Sequence, residues 1–442
     1  MTRHLAALVA VMSLAACGTQ SPVCIPATNA NCPATLQCEM VSGSDDPVCV
    51  PPVVVVGAVF QSAPGEPPVA NARVLLVDDT GVPAAPAATS RADGTFEIRV
   101  RASRAVDLRP LTARVALRVE ASGYQVYPAA YRPAPSLDLS DAKLTTLGDR
   151  FGLASADTDI ALVVATTGGT GGVSGTVDLP ATARPVLVVA EPKDSPDGGG
   201  VSLADSAGAY QVFGLLPGDY TVRALALGEA WTTEDVTLNV GERQEASLTR
   251  TTGAGATVSG QVTFPGGPTT VSLVVAETYD PAAPTAEIIA GSTRALASSG
   301  PFSLAGVPPG RYVVLAGFGQ DGLVRAFAPV EVGAADVALP QPVTLSPALT
   351  LVGPGAAGPE QVTAAPTIAW QAQPNAVRYD VEVTDGRGVV VWSRQVTDVS
   401  VVYGGPLSAG GFYQAHVTAR DGVGAALATT EELRGVFFVS SG

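Results

Sequence analysis

The sequence contains few of the residues from which catalytic and metal sites are built. Only two of its 442 residues are histidines, His4 and His416, and aromatic residues make up 5%. No Gly-x-Ser-x-Gly, His-x-x-x-His or Asp-x-Asp-x-Asp-Gly pattern occurs. The alternation in YQAHVTA places His416 on a strand. The sequence therefore predicts that the protein is not an enzyme and has no catalytic residue, metal site or cofactor.

Basic residues and long hydrophobic runs are also scarce. Lys and Arg number 25 against 40 Asp and Glu, for a net charge of −15. A polyanion repels phosphate backbones, so nucleic acid is not expected as a partner. No run reaches the roughly 18 apolar residues of a membrane-spanning helix. The VVVV run at 53–56 therefore indicates a buried strand.

Glycine and proline are abundant, and Val-rich runs lie between them. The chain has 48 Gly and 36 Pro. Short apolar runs separated by Gly- and Pro-rich turns are typical of β-sandwiches. The length allows three or four domains of roughly 100–150 residues. We predict an all-β chain of tandem Greek-key β-sandwich domains.

The first 17 residues, MTRHLAALVAVMSLAAC, have the pattern of an export signal. Arg3 precedes a short apolar run, and small residues precede Cys17. The Leu-Ala-Ala-Cys sequence resembles the bacterial lipobox, which implies that Cys17 is lipidated and begins the mature protein. Gly18 in place of Asp favours the outer membrane, facing the periplasm or the surface. The alternative is a plain signal peptide with an incidental cysteine.

The other four cysteines, Cys24, Cys32, Cys38 and Cys49, follow closely, and no cysteine occurs after them. An even number in an exported segment predicts two disulfides, with three possible connectivities. A Cys₄ zinc site is the alternative, but its ligands normally come as close Cys-x₂₋₄-Cys pairs. The spacings here are wider, which favours disulfides.

Internal repeats divide the rest of the chain. GGVSGTVDLP (171–180) matches ATVSGQVTFP (256–265), and GLLPGDYTV (214–222) matches GVPPGRYVV (306–314). A divergent copy begins at VVVVGAVF (53–60). Gly- and Thr-rich stretches at 166–172, 249–257 and 352–360 are interpreted as linkers. The first of them, TTGGTGG, lacks the Gly-Lys ending and following helix of a phosphate-binding loop.

The predicted organisation is a signal peptide, a base, three repeat units and a last unit. In order they cover 1–16, 17–52, 53–166 (unit 1), 173–250 (unit 2), 256–352 (unit 3) and 360–442 (unit 4).

Each repeat has a glycine just before an aromatic residue. Gly94, Gly208 and Gly300 are predicted to adopt a positive φ in a hairpin turn. The following rings of Phe96, Tyr210 and Phe302 should point inward. The constant spacing also indicates that Pro-Gly-x-Tyr is a turn leading into a core strand, with Tyr220 and Tyr312 buried.

The order of these motifs resembles the carboxypeptidase regulatory-like domain. That resemblance implies a transthyretin-like, seven-stranded Greek-key sandwich with a non-catalytic, accessory role. It covers 173–249 and 258–350 well and 53–166 loosely. Collagen-adhesin B-type repeats and starch-binding-like folds share the motifs.

The last unit resembles a fibronectin type III domain, which is Ig-like. Trp370 would be the core tryptophan of an early strand. Leu407 and Tyr413 have the spacing of a tyrosine corner, in which the hydroxyl reaches back to the backbone.

The features that do not repeat are the candidates for binding. Trp231 is either packed under a loop or an exposed sugar platform. The loops after Glu191 and Glu277, at 191–206 and 277–298, differ between units 2 and 3, and function on β-sandwiches concentrates in loops. Acidic turns at Asp78-Asp79, Asp194–Asp197 and Asp385 are interpreted as solvated, with loose calcium binding as the alternative.

The sequence as a whole predicts a non-enzymatic envelope lipoprotein that presents loops for adhesion, assembly or interaction. Its partners would be the membrane, through the lipid, and a polysaccharide or an envelope protein. An array of carbohydrate-binding modules and an accessory part of an exported hydrolase are the alternatives.

Overall fold

The computed structural model describes residues 23–128, 134–165, 168–194, 198–264, 268–279, 286–297, 299–318, 324–422, 424, 426–431 and 434–440. In these residues the regular structure is β-strand, apart from single 3-10 turns at Leu139–Asp141, Ala156–Thr158 and Ala276–Thr278. None of those turns is long or apolar enough to cross a membrane. The prediction of an all-β chain is confirmed.

The base is held by two disulfides and one hairpin. Cys24 pairs with Cys38, and Cys32 pairs with Cys49. Strands β1 (Gln37–Glu39) and β2 (Val48–Val50) form the antiparallel hairpin. The prediction of two disulfides is confirmed, and the structure selects one of the three connectivities.

Unit 1 has two sheets that enclose one core. One contains β3, β6, β9, β10 and β11, and the other has the order β5-β4-β7-β8. The strands are β3 (Val53–Gln61), β4 (Arg73–Asp78), β5 (Ala88–Thr89), β6 (Thr95–Val100), β7 (Arg114–Glu120), β8 (Leu137–Asp138), β9 (Lys143–Leu144), β10 (Phe151–Leu153) and β11 (Asp159–Leu162).

Unit 2 repeats this arrangement, with sheets β15-β12-β19 and β14-β13-β16-β18 and a small β17-β20 ribbon. The strands are β12 (Gly171–Thr176), β13 (Leu187–Pro192), β14 (Gly200–Leu203), β15 (Ala209–Leu215), β16 (Gly218–Leu225), β17 (Ala230–Trp231), β18 (Glu234–Leu238), β19 (Arg243–Glu245) and β20 (Arg250–Thr251).

Unit 3 has sheets β24-β21-β27, with β28 also on β21, and β23-β22-β25-β26. Its second sheet therefore has the same order as in units 1 and 2. The strands are β21 (Ala256–Thr263), β22 (Thr269–Val275), β23 (Arg294–Leu296), β24 (Gly300–Val307), β25 (Gly310–Phe318), β26 (Val324–Val332), β27 (Val337–Ala338) and β28 (Val343–Thr344).

Unit 4 has a three-stranded sheet, β29-β31-β34, and a six-stranded one, β30-β37-β35-β32-β33 with β36 on β35. The strands are β29 (Leu351–Gly353), β30 (Glu360–Val362), β31 (Thr367–Trp370), β32 (Arg378–Asp385), β33 (Val390–Val396), β34 (Ser400–Val402), β35 (Phe412–Arg420), β36 (Ala426–Thr429) and β37 (Val436–Val439). Because β29 pairs with β31, this unit begins before residue 360. Trp370 is buried, and the Tyr413 hydroxyl accepts a bond from the Ser408 N–H at 2.8 Å, as a tyrosine corner requires.

Early and late strands of each unit pair in parallel. In unit 1, β3 pairs with β11, and in unit 2, β12 pairs with β19. In unit 3, β21 pairs with both β27 and β28, and in unit 4, β30 pairs with β37. The ends of each unit are therefore joined by a short parallel ladder.

A glycine faces an aromatic ring across the first sheet of each repeat. The pairs are Gly57 with Phe96, Gly175 with Tyr210, and Gly260 with Phe302. A Cβ at Gly57 or Gly260 would lie within 3.0 Å of the opposing ring. The glycine leaves room for the ring opposite it. All three rings are buried, as the repeat pattern predicted.

The turn glycines match the prediction in two copies only. Gly94 and Gly208 have φ of 80° and 79°. Gly300 does not lie in the positive-φ region, so the prediction is wrong there. Gly300 instead begins strand β24, in register with Val262.

Units 1, 2 and 3 share a hydrophobic core. Strand β13 of unit 2 is buried on both faces: Val188 and Ala190 point into the core of unit 2. Leu187 and Val189, on its other face, belong to the core of unit 3. Leu203 and Leu225 of unit 2 and Leu75 of unit 1 belong to the same core. Units 1, 2 and 3 are therefore packed against one another.

Candidate functional site

The repeated Pro-Gly-x-Tyr motif forms a turn that is closed by the hydroxyl of its own tyrosine. The Tyr220 hydroxyl donates to the Leu216 carbonyl at 2.8 Å, and the Tyr312 hydroxyl donates to the Pro308 carbonyl at 2.9 Å. Burial raises the pKa of both phenols, so both stay neutral donors. The motif is therefore a structural turn, as predicted.

A buried carboxylate joins unit 1 to unit 2. Glu120, on β7, binds Arg73 at 2.9 Å and accepts bonds from the Ser202 hydroxyl at 2.8 Å and the Leu203 N–H at 3.1 Å. Burial alone would raise the pKa of Glu120, but the guanidiniums of Arg118 and Arg73 hold it below its ordinary value. The carboxylate therefore stays charged and connects strands of two units.

Arg118 extends the same network to unit 3. Its Nε binds Glu120 at 2.8 Å, and its Nη1 binds Glu287 of unit 3 at 2.7 Å. Arg73 also donates to the Ala209 carbonyl of unit 2 at 2.7 Å. Four charged side chains, in the order Arg73, Glu120, Arg118 and Glu287, therefore connect three units. We call this set the three-unit network.

The two glutamates at which the variable loops begin meet at the joint between units 2 and 3. Glu191 accepts bonds from Arg223 Nε at 2.8 Å and from the Arg311 N–H at 3.2 Å. Arg311 Nη2 also pairs with Glu277 at 2.7 Å. The Glu277 side chain is 0% exposed. Burial, and then the negative charge of Glu191, raises the pKa of Glu277.

These contacts change the interpretation of the loops at 191–206 and 277–298. Gly200–Leu203 and Arg294–Leu296 form the outer strands β14 and β23. Residues 195–197, 280–285 and 298 lie outside the described residues. The described parts of both loops therefore complete a sheet or a joint, and their role in binding stays a prediction.

Trp231 does not form the exposed platform considered from the sequence. It is 9% exposed and belongs to the core of unit 2, and its indole N–H donates to the Asp178 carbonyl at 2.8 Å. A sugar platform needs an open ring face, so the loop-packing alternative describes Trp231 correctly.

The base is docked on unit 1 through another buried ion pair. Glu39 of β1 binds Arg104, whose guanidinium also donates to the Pro51 carbonyl at 2.7 Å and lies 5.0 Å above the Phe151 ring. Burial raises the pKa of Glu39, although Arg104 counteracts this. The base and unit 1 are therefore one packed body.

The four cysteines of the base are fully used as disulfides. The sulfurs of Cys24, Cys32 and Cys38 lie within 4.8 Å of one another, but each is bonded to another sulfur. The zinc alternative is therefore not supported. Cys17 lies outside the described residues.

His416, Asp78 and Asp385, which were considered for catalysis or calcium binding, take part in a strand or a turn. His416 is buried on β35, opposite Glu382. Asp78 accepts the N–H groups of Thr80 and Val82, and Asp385 caps its own turn in the same way. Asp194 is among the residues that the structure describes, whereas Asp197 lies outside them.

One open polar cleft, of about 350 Å³, lies on unit 1. Asp138, Asp141, Asp157 and Lys143 are among the residues that line it. The Asp138 carboxylate already accepts the N–H and hydroxyl of Ser140, which closes a 3-10 turn. This carboxylate is therefore engaged in the fold.

A stacked aromatic pair with one exposed ring lies on unit 4. The rings of Phe412 and Phe438 stack with centroids 5.2 Å apart, and Phe412 is 53% exposed. The sequence did not single out these residues, because their strands contain other aromatics that are buried.

Comparisons with known proteins establish no family for this chain. No known family matches it, and no curated protein matches it. Among solved structures, the shaft pilin SpaA from Lactobacillus rhamnosus GG is 11% identical, with 45% of this chain and 97% of that chain covered, at a TM-score of 0.16. BcpA, the major pilin subunit of Bacillus cereus, is 8% identical, with 66% and 99% covered, at 0.17. A tetra-tandem repeat from the extending region of a large adhesion protein is 15% identical, with 87% and 99% covered, at 0.14. At such TM-scores these similarities carry no argument about function.

Proposed function

We propose that this chain is a non-enzymatic, lipid-anchored scaffold of the cell envelope that presents surfaces for adhesion or assembly. The observation that carries the proposal is the three-unit network. Three sandwiches joined by buried ion pairs and a common core hold their outer surfaces at fixed positions relative to one another. A scaffold needs this rigidity, whereas the described residues contain no cluster that suggests catalysis.

Export and anchoring are supported by cysteine chemistry. Disulfides form and persist in oxidising compartments, and the base has two. The lipobox resemblance assigns the lipid to Cys17, and Gly18 favours the outer membrane. The proposed partners are the membrane and an envelope protein or polysaccharide.

The anchor is tested by fractionating cells that express the parent chain or Cys17→Ser. The variant should leave the membrane fraction, and the mass of the N-terminal peptide should show acyl chains on the parent alone. Ser21→Ala is the matched control and should stay in the membrane. A parent chain that fractionates with membranes without a lipid would overturn the anchor.

Carbohydrate binding is kept as a second candidate because of the Phe412 and Phe438 pair. Phe412 is exposed, and an exposed aromatic ring is the kind of surface against which a sugar packs. On a polysaccharide array, Phe412→Ala should weaken any binding, and Val402→Ala on the same unit should not. If no polysaccharide on the array binds, carbohydrate binding is ruled out as the function. The proposed partner is then an envelope protein.

The non-enzyme proposal is tested with a broad hydrolase screen. We expect no turnover by the purified chain. Turnover that disappears in His416→Ala, in a variant that still folds, would overturn the proposal.

A further inference from the structure

The exposed apolar side chains of unit 1 are concentrated at one end. Apart from Val164, the large apolar residues exposed in the described part of this unit lie in or directly beside two loop tips. Val106 and Leu108 lie in one tip with Leu111 beside it, and Leu147 lies in the other with Leu144, on β9, beside it. A single exposed apolar residue needs no explanation, but a set confined to one end indicates an interaction surface.

The first apolar tip is a hairpin that follows β6. The Leu111 N–H donates to the Ser103 carbonyl at 2.8 Å, and the Ala105 N–H donates to the Arg109 carbonyl at 2.9 Å. These bonds hold the hairpin in shape while Val106, at its tip, stays 78% exposed. The exposure is therefore a property of an ordered loop.

The second apolar tip is the turn between β9 and β10. The Thr145 N–H donates to the Arg150 carbonyl at 2.9 Å, and Leu147 is 86% exposed. Both tips lie at the same end of the sheet, because Val53 pairs with Val100 before the first tip and with Phe151 after the second. Arg104, at the foot of the hairpin, covers the Phe151 ring at 5.0 Å.

The chain leaves the described structure at this same end. The Met40 carbonyl accepts the Arg104 N–H at 3.0 Å, and Met40 is itself exposed. Cys38, two residues earlier, is bonded to Cys24, and the described chain begins at Val23. The six residue steps from Val23 back to Cys17 can span at most about 20 Å.

The charges at this end are of both signs, and most are paired. Asp107 binds Arg109 at 2.5 Å, and Arg150 binds Glu97 at 3.3 Å. Asp149 accepts a hydrogen bond from the Thr145 hydroxyl and keeps its charge. A chain with a net charge of −15 is repelled by anionic lipids as a whole. An end with charges of both signs and protruding apolar tips is a surface that a bilayer tolerates.

We propose that these two tips insert into the interfacial region of the bilayer that holds the lipid on Cys17. The inference rests on the lipid anchor proposed above. The short tether keeps the tips near the membrane, and interfacial apolar side chains typically enter about 5–10 Å. Two tips and a tether are three points of contact, which orient unit 1 relative to the membrane.

The test uses the full lipidated chain in vesicles of phosphatidylethanolamine and phosphatidylglycerol. Val106→Cys and Leu147→Cys are each labelled with a polarity-sensitive fluorophore, since the four cysteines of the base are disulfide-bonded. Val240→Cys is the matched control, because Val240 is 83% exposed on unit 2. Labels at 106 and 147 should shift their emission to the blue and be quenched by nitroxide lipids, while the label at 240 does neither.

Each alternative outcome is distinct. Labels at 106 and 147 that behave like the label at 240, on a chain whose lipid is verified by mass, would overturn the insertion and leave the anchor intact. A chain without lipid would overturn the anchor itself. If the labels at 106 and 147 show the same blue shift without vesicles as with them, the tips contact protein. That result would also overturn the membrane assignment.

Discussion

Arg118 and Glu287 form an ion pair at 2.7 Å although 169 residues separate them in the chain. The pair joins unit 1 directly to unit 3, and Glu120 continues the same network into unit 2. The three units therefore depend on one another for the pairing of buried charges.

Removing one member of the network should destabilise all three units. Glu120→Gln leaves the buried Arg73 without a carboxylate and Arg118 with Glu287 alone, and breaking a buried pair in this way costs about 3–5 kcal/mol. The urea unfolding midpoint measures the effect. Glu97→Gln, in an exposed pair, is the control and should change stability by less than about 0.5 kcal/mol. Equal midpoints for the two variants would contradict the network's role.

The cross-strand glycines should not tolerate a methyl group. In Gly175→Ala the Cβ would lie 1.7 Å from the Ala246 carbonyl oxygen, so backbone must move. We expect a loss of about 1–3 kcal/mol, as in other overpacked sites. Gly152→Ala is the control, since its Cβ would meet nothing within 4 Å. Thermal unfolding compares the two, and a variant at 175 as stable as the control would refute the close approach.

The disulfide connectivity predicts which thiol each cysteine variant exposes. Cys24→Ser should leave Cys38 free, and Cys32→Ser should leave Cys49 free. Because Cys38 is buried, alkylation is done in denaturant without a reductant, and peptide mass analysis then identifies the labelled residue. Alkylation at Cys32 or Cys49 in the Cys24→Ser variant would indicate a different pairing. Each variant should lose about 2–4 kcal/mol.

The joint between units 2 and 3 should respond to pH through Glu277. Its folded pKa is raised above 4.5, so its favourable contribution is present below that pH and is lost as the pH rises through the folded value. Glu277→Gln removes this dependence and should gain stability relative to the parent as the pH rises above 4.5. Urea midpoints at each pH test this, with the exposed Glu331→Gln as the control. A constant difference in midpoint between Glu277→Gln and the parent at every pH would contradict the raised pKa of Glu277.

Sequence repetition predicted most of the local structure. Tyr220 and Tyr312 occupy equivalent core positions, and the Gly57, Gly175 and Gly260 pairs follow the repeat because each strand alternates its two faces. Gly300 departs from the pattern because its strand begins at the glycine itself, one residue earlier than in unit 2. Two disulfides followed from the number and spacing of the cysteines, but their connectivity required the fold.

The contacts between units could not be predicted in the same way. Arg73, Arg118 and Glu120 are conspicuous as charges in apolar strands, which indicates a partner but does not identify it. The partner depends on how one sandwich is oriented on the next, and no local pattern encodes that orientation. Trp231 was ambiguous for the same reason, because a loop residue is either exposed or covered according to its surroundings.

The parallel ladders that join the ends of each unit have a mechanical consequence. In unit 1, tension between Val53 and Leu162 acts along β3 and β11, so their hydrogen bonds share the load in shear. Peeling would break such bonds one after another, whereas shear loads them together. A chain held at one end by a membrane and pulled at the other by a bound surface would therefore resist extension unit by unit.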